Sequence, residues 1–263
     1  MSDDLSGVHA SGLGAIAEEL RLEVFDEAKE QVTELSLLID GVHHDRNSTD
    51  ELRDAVSKAA LKLRTKAGTA GLRLIGTIAH RLEDYMANLR EFQPRTVDDL
   101  QMFIDRLEDI IEERIALDAD ASQIVRKLPS MAGFSEDDIE VRNIEVMLVM
   151  LHGTANHYVQ RELQQCGYRV TTVSTVFEAF QLVVQTKPDL IVISAIMPEL
   201  DGIDLAIGLS AMPATRNIPL ALISGLDTDD EHFALVPSNV PIIRKGPAFG
   251  DDLYTALDNL FLI

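Results

Sequence analysis

From residue 144 onward, short apolar runs alternate with segments of helical period, and this alternation restricts the fold more than any other feature of the chain. Residues 146–150 and 190–193 are continuously apolar, 167–173 alternate with strand period, and 219–223 and 240–243 complete five strand candidates. Helical patterns fall between or after them, at 155–165, from 174 through Val184, near Leu205 and from Asp251. Strands that are apolar throughout are buried on both faces, which happens when helices cover a parallel sheet. The expectation for 144–263 is a doubly wound α/β domain of about five strands. In such a domain the working crevice lies at the carboxyl ends of the strands.

The first half has only the helical period. Ile16, Leu20, Val24, Ala28, Val32 and Leu35 recur at helical spacing from Leu13 to Ile39. Ser48, Thr49 and Asp50 offer N-caps for a second helix, with Val56, Ala60, Leu63 and Ala67 on one stripe. Gly68 and Gly71 mark its end or a tight helix–helix contact. A third helix is expected over 72–92, stopping before Pro94, and a fourth over 96–117. Short turns between four amphipathic helices imply an antiparallel four-helix bundle over 13–118, after a flexible terminus at 1–12. Residues 119–143, with Pro129, Gly133 and the acidic run at 135–138, read as a linker with a helical extension near 121–127.

The chain carries 44 acidic and 23 basic residues, a net charge of −21. Such a balance argues against nucleic acid and anionic membrane surfaces as partners, because both are bound by neutralising phosphate. No apolar run is long enough to span a bilayer, and the opening MSDDLSGVHASGLG lacks the basic and apolar regions of a signal peptide. A cytoplasmic protein is expected. The single cysteine, Cys166, is expected as a buried, inert thiol.

The run PDLIVISAIMPELDG at 188–202 resembles the third strand and following loop of bacterial response-regulator receiver domains: an apolar strand, the phospho-accepting Asp, then Met-Pro-x-x-Asp-Gly. Residues 167–170, 218–224 and 243–245 are similar to the second, fourth and fifth strands of that family, in order. The resemblance implies a flavodoxin-like sheet. In the family, two acidic residues after the first strand join the acceptor Asp in holding Mg²⁺. Here the acidic pair falls on Leu151 and His152, and the acceptor on Ser194. Those residues imply no metal and no cofactor. Ser224 matches the phosphate-sensing hydroxyl and Lys245 its lysine partner.

The segments KAALKLRTKAGTAG at 58–71 and IAHRLED at 78–84 resemble the second and third helices of a histidine phosphotransfer (HPt) bundle. The phospho-accepting His of that family falls on Leu61, its Lys on Arg64 and the following Gly on Thr65. Leucine has no nucleophile. Leu61 also lies off the apolar stripe, near Lys58, Lys62 and Thr65. No acidic residue occurs from Ala55 to Leu82, while Lys58, Lys62, Arg64 and Lys66 do. A basic face of this kind suits an acidic partner.

Together these features imply a non-catalytic two-component regulator that docks a receiver domain, a histidine kinase or a second copy of itself. Two other readings remain open at this stage. One is active phosphotransfer through a non-standard acceptor, Ser194 or His80. The other is a dimerising scaffold unrelated to phosphorelay. The apolar end at 260–263 is expected either to finish the last helix or to meet a partner.

Overall fold

The computed structural model describes residues 4–89, 91–130, 143–226, 230–247 and 249–260, with side chains described from residue 18 on. The chain divides into two compact units, Met1–Ala121 with Lys127–Pro129, and Ser122–Arg126 with Ser130–Ile263. The unit boundary at Ala121 falls inside the stretch 119–143 that the sequence assigns to a linker. The part of that stretch at 131–142, including Gly133 and the acidic run, lies outside the described residues. So do residues 261–263.

Four helices build the first unit: α1 (Asp4–His43), α2 (Thr49–Thr69), α3 (Arg73–Asn88) and α4 (Pro94–Ile111). Helix α1 starts at Asp4, within the stretch 1–12 that the sequence leaves as a flexible terminus. It packs against α2 and α4, and α3 packs against the same two, around a core that includes Ile39, Leu52, Ile78, Leu100, Phe103 and Leu107. Ser48 caps α2, its Oγ accepting from Glu51 N at 3.1 Å. Gly71, at φ +69°, ends it, because Leu72 N turns back to Ala67 O in a geometry that favours glycine. Gly68 has open space where a Cβ would stand, so it makes no close helix contact.

Three ends of α3 and α4 differ from the sequence expectation. Helix α3 stops at Asn88 rather than Phe92, and α4 starts at Pro94 rather than Thr96. Gln93, extended at φ −100° and ψ 160°, forms a reciprocal cap with Thr96, and proline at the first helical position loses no hydrogen bond. Helix α4 ends at Ile111 instead of running to Leu117. Glu113 takes φ +57°, and Arg114 folds back to pair with Asp109 at 2.7 Å.

The second unit holds β1 (Glu145–Val149), α6 (Thr154–Gln165), β2 (Arg169–Val173), α7 (Val176–Thr186), β3 (Leu190–Ser194), α8 (Gly202–Ala211), β4 (Leu220–Ser224), β5 (Ile242–Arg244) and α9 (Phe249–Asn259). The short α5 (Ala121–Val125) precedes them, and a 3₁₀ turn at Glu231–Leu235 lies between β4 and β5. All strand pairs are parallel, in the order β2-β1-β3-β4-β5. This is the flavodoxin-like doubly wound order. Strands β1, β3 and β4 are buried at every position, as their unbroken apolar runs require. Helices α7 and α8 pack on one face through Ala179, Val183, Leu205 and Leu209. Helices α6 and α9 pack on the other through Val159, Leu163, Leu253 and Leu257, with Leu260 half-buried beside them. Cys166 ends α6 half-buried, not fully buried as expected, because Gly167 turns the chain at the helix C-terminus. Among the described residues, no helix is long and apolar enough to cross a membrane.

Candidate functional site

The sheet order places β1 beside β3, so chain connections leave that strand pair in opposite directions and open a crevice at its carboxyl end. Leu151 and His152 follow β1, Ser194 ends β3, Ser224 ends β4 and Lys245 follows β5. The five positions singled out in the sequence thus share one edge of the sheet.

Two of the five are interior. Ser194 is 3% exposed, and its Oγ donates to Ile196 O at 3.2 Å. Ser224 is 1% exposed, and its Oγ accepts from Leu226 N at 2.9 Å. Each hydroxyl therefore bonds the backbone two residues on and shapes its own loop. The other three face outward. Leu151, His152 and Lys245 are exposed, and Lys245 has no ion pair among the described residues. Its backbone N donates to Ser224 O at 2.7 Å, which fixes the end of β5 to that of β4.

Sequence reasoning missed Ile196, which is 60% exposed at the same edge. Its signal was the apolar Ala-Ile-Met that continues past the end of β3. Also missed was Asn156, buried on α6, whose Nδ2 donates to Met150 O at 3.3 Å and ties the helix start to the end of β1. Gly202 opens α8 against Ser194, its N donating to Ala195 O at 2.9 Å. Chemically the edge offers two apolar side chains, an imidazole and an ammonium. Leu151 and Ser194 supply no carboxylate oxygen for a hard cation. Among the described residues, no three His, Cys, Asp or Glu side chains gather closely enough to share a metal ion.

The second candidate region is the outer face of α2. Lys58, Leu61, Lys62 and Thr65 are exposed, Leu61 to 50%. Thr65 Oγ1 donates to Leu61 O at 2.8 Å. Most of the cations nearby have partners in the same unit. Lys62 and Lys66 both pair with Glu27 of α1, and Arg64 pairs with Glu83 of α3 at 2.5 Å. The stretch without acidic residues in sequence is thus partly neutralised in space by carboxylates from neighbouring helices. Lys58 and Leu61 keep the outward position that the helical period gives them. His80 is buried on α3.

Hydrogen bonds from Lys62 and then Lys66 hold the Glu27 carboxyl below its ordinary value of 4.5. A carboxylate depressed in the folded state stabilises fully above the unfolded-chain pKa and loses that contribution as pH falls through the folded pKa. Urea midpoints of the wild-type chain are expected to fall as pH drops below about 4.5. Glu27→Gln should flatten part of that slope and lower the midpoint at pH 7 by the same small amount, since the pair is close to the surface. An unchanged slope would mean that the two lysines do not act on Glu27.

No family model matches the chain. Over 92 residues it is 30% identical to the two-component response regulator-like protein APRR3 of Arabidopsis thaliana, a match covering 34% of this chain and 19% of that protein. The chain therefore spans about a fifth of that relative's length. Similar solved structures include the receiver domain of a sensor histidine kinase from Pseudomonas aeruginosa PAO1, at 21% identity and a TM-score of 0.40, covering 45% of this chain and 98% of that one. A response regulator from Desulfuromonas acetoxidans is 28% identical at a TM-score of 0.39, over 45% and 96% of the two chains. The receiver domain of a signal transduction histidine kinase from Syntrophus aciditrophicus is 28% identical at 0.40, over 44% and 88%.

Proposed function

We propose that this chain is a two-component signalling protein that docks phosphorelay partners without accepting phosphate itself. In this reading residues 144–263 are a receiver-like unit without phosphoryl chemistry, and the helical unit is HPt-like with Leu61 where the phosphohistidine would stand. One observation carries the proposal. At the carboxyl edge of the sheet, where a receiver gathers three carboxylates, this chain has Leu151, His152 and Ser194, and the Ser194 hydroxyl is buried against Ile196 O. A buried serine hydroxyl bonded to a backbone carbonyl is a poor nucleophile, and neither Leu151 nor Ser194 offers an anionic oxygen to offset phosphoryl charge with a metal.

The docking surface is the outer face of α2. Leu61 gives an apolar centre, and Lys58 a cation whose charge no neighbouring helix takes up among the described residues. An apolar contact beside a cation that no neighbouring carboxylate takes up suits the acidic rim of a receiver or a kinase.

The test is to incubate the whole chain with labelled, phosphorylated kinase and receiver proteins from its own organism, following both label and binding. Binding without label on this chain is expected. Lys58→Glu with Leu61→Asp should weaken binding at least about tenfold while leaving the melting temperature nearly unchanged, since both side chains point outward. Stable label on the chain would sink the proposal, and mapping it to Ser194 or His80 would name the acceptor.

A further inference from the structure

Leu61 stands in the middle of the outer face of α2, with cations to either side. Lys58 and Lys62 lie about 60° and about 100° round the helix on one side, and Arg64 lies on the other. Lys66 follows Lys62 by one turn. Of these four cations, Lys58 alone has no ion pair among the described residues. Carboxylates of neighbouring helices reach the other three. Glu83 of α3 takes Arg64, and Glu27 of α1 takes two at once, its Oε1 pairing with Lys62 and its Oε2 with Lys66. The lysine side chains stay 47% and 43% exposed, while that of Glu27 is 25% exposed. Glu27 is thus the fixed member, seated on α1 between the buried Val24 and Ala28. Ion pairs as exposed as these add little stability, yet they decide where two positive charges point.

We propose that Glu27 restrains the docking face by standing where a partner's carboxylate would go, so that an acidic partner must displace it from Lys62 and Lys66. The inference rests on the reading of that face as a site for acidic partners. Once displaced, the Glu27 carboxylate cannot leave, because α1 packs against α2. It therefore opposes any acidic group that takes its place. A partner that brings one carboxylate gains no net pair by the exchange. A partner with several carboxylates around an apolar spot meets Lys58, Lys62 and Lys66 together with Leu61, and makes more pairs than it breaks. Glu27 in this way selects densely acidic surfaces over sparsely acidic ones.

The test compares the whole chain with Glu27→Gln, which keeps the side-chain size and removes the charge, in binding to phosphorylated receiver proteins from its own organism. At about 0.05 M salt the variant should bind about fivefold more tightly, and the gain should vanish near about 1 M salt, where charges are screened within about 3 Å. Glu27→Ala, which leaves the lysines no acceptor, should tighten binding at least as much. Asp26→Asn is the control, because it changes net charge equally at an exposed position of α1 with no ion pair among the described residues. It should leave affinity nearly unchanged. Equal binding by the wild-type chain and Glu27→Gln overturns the proposal and leaves the docking face standing. So does a gain matched by Asp26→Asn, which would trace to net charge alone. Binding by neither chain overturns the docking reading itself, and the restraint with it.

Discussion

Gly202→Ala is expected to destabilise the α/β unit by about 3 kcal/mol or more, a large effect for one methyl group. A Cβ at this position would lie 1.9 Å from Ser194 O, 2.7 Å from Ile193 Cγ2 and 2.9 Å from Ser194 C. Two of these atoms belong to backbone fixed in the central sheet, and the third is a side chain buried beside it. Relief therefore requires the start of α8 to move away from β3. That motion breaks the bond from Gly202 N to Ala195 O at 2.9 Å and uncovers Ile203 and Leu205. Overpacking alone costs about 1–3 kcal/mol, and a buried backbone pair left unmade adds about 1–3 kcal/mol. The urea midpoint should fall accordingly, with faster amide exchange in β3 and at the start of α8. A midpoint within error of wild type would mean that α8 has slack at its first turn.

Gly202 also shows what kind of information the sequence carries. The Asp-Gly step could be read as part of a family-like loop, yet its physical necessity, close approach to the end of β3, emerges only with the strands in place. Strands β1, β3 and β4 were legible because each is a compact apolar run buried on both faces, and β2 because its residues alternate with strand period. Strand β5 starts at Ile242, two residues later than the pattern suggested, because Pro241 serves through its carbonyl, which accepts from Leu222 N at 2.9 Å.

The carboxyl-edge positions were legible for a topological reason, since parallel strands in this order bring all their carboxyl ends to one side. Which hydroxyls are interior was not, because Ser194 and Ser224 could each have faced the crevice. On α2, helical period correctly separates Leu61 from the stripe at Val56, Ala60 and Leu63. What the linear charge count overlooked was Glu27 and Glu83, whose distance along the chain hides their closeness in space. The amino edge of the sheet was silent in the sequence for the same reason.

That amino edge should give the second large effect. Glu145→Ala is expected to cost about 3–5 kcal/mol, the range for removing one partner of a buried ion pair. Glu145 and Arg169 face each other across β1 and β2, with Oε1 and Nε 2.5 Å apart and the side chains only 6% and 11% exposed. Arg169 also donates to Val125 O at 3.2 Å and Ser130 Oγ at 3.3 Å. Asp189 accepts from Glu145 N at 2.8 Å and from both terminal nitrogens of Arg126, at 2.8 and 3.0 Å. Two arginines and two carboxylates thus tie Val125, Arg126 and Ser130 to the starts of β1, β2 and β3. Without the Glu145 carboxylate, the guanidinium of Arg169 stays in a site that water scarcely reaches. The discriminating comparison is the double variant Glu145→Leu with Arg169→Leu, because a desolvated ion pair replaced whole by apolar groups often loses little. Urea unfolding should show the double variant losing less than the sum of the two single changes, by about 1–3 kcal/mol. Strict additivity would mean that Arg169 acts through Val125 and Ser130 rather than through Glu145. In that case Ser130→Ala, expected to be mild, should instead match the loss seen on removing the arginine.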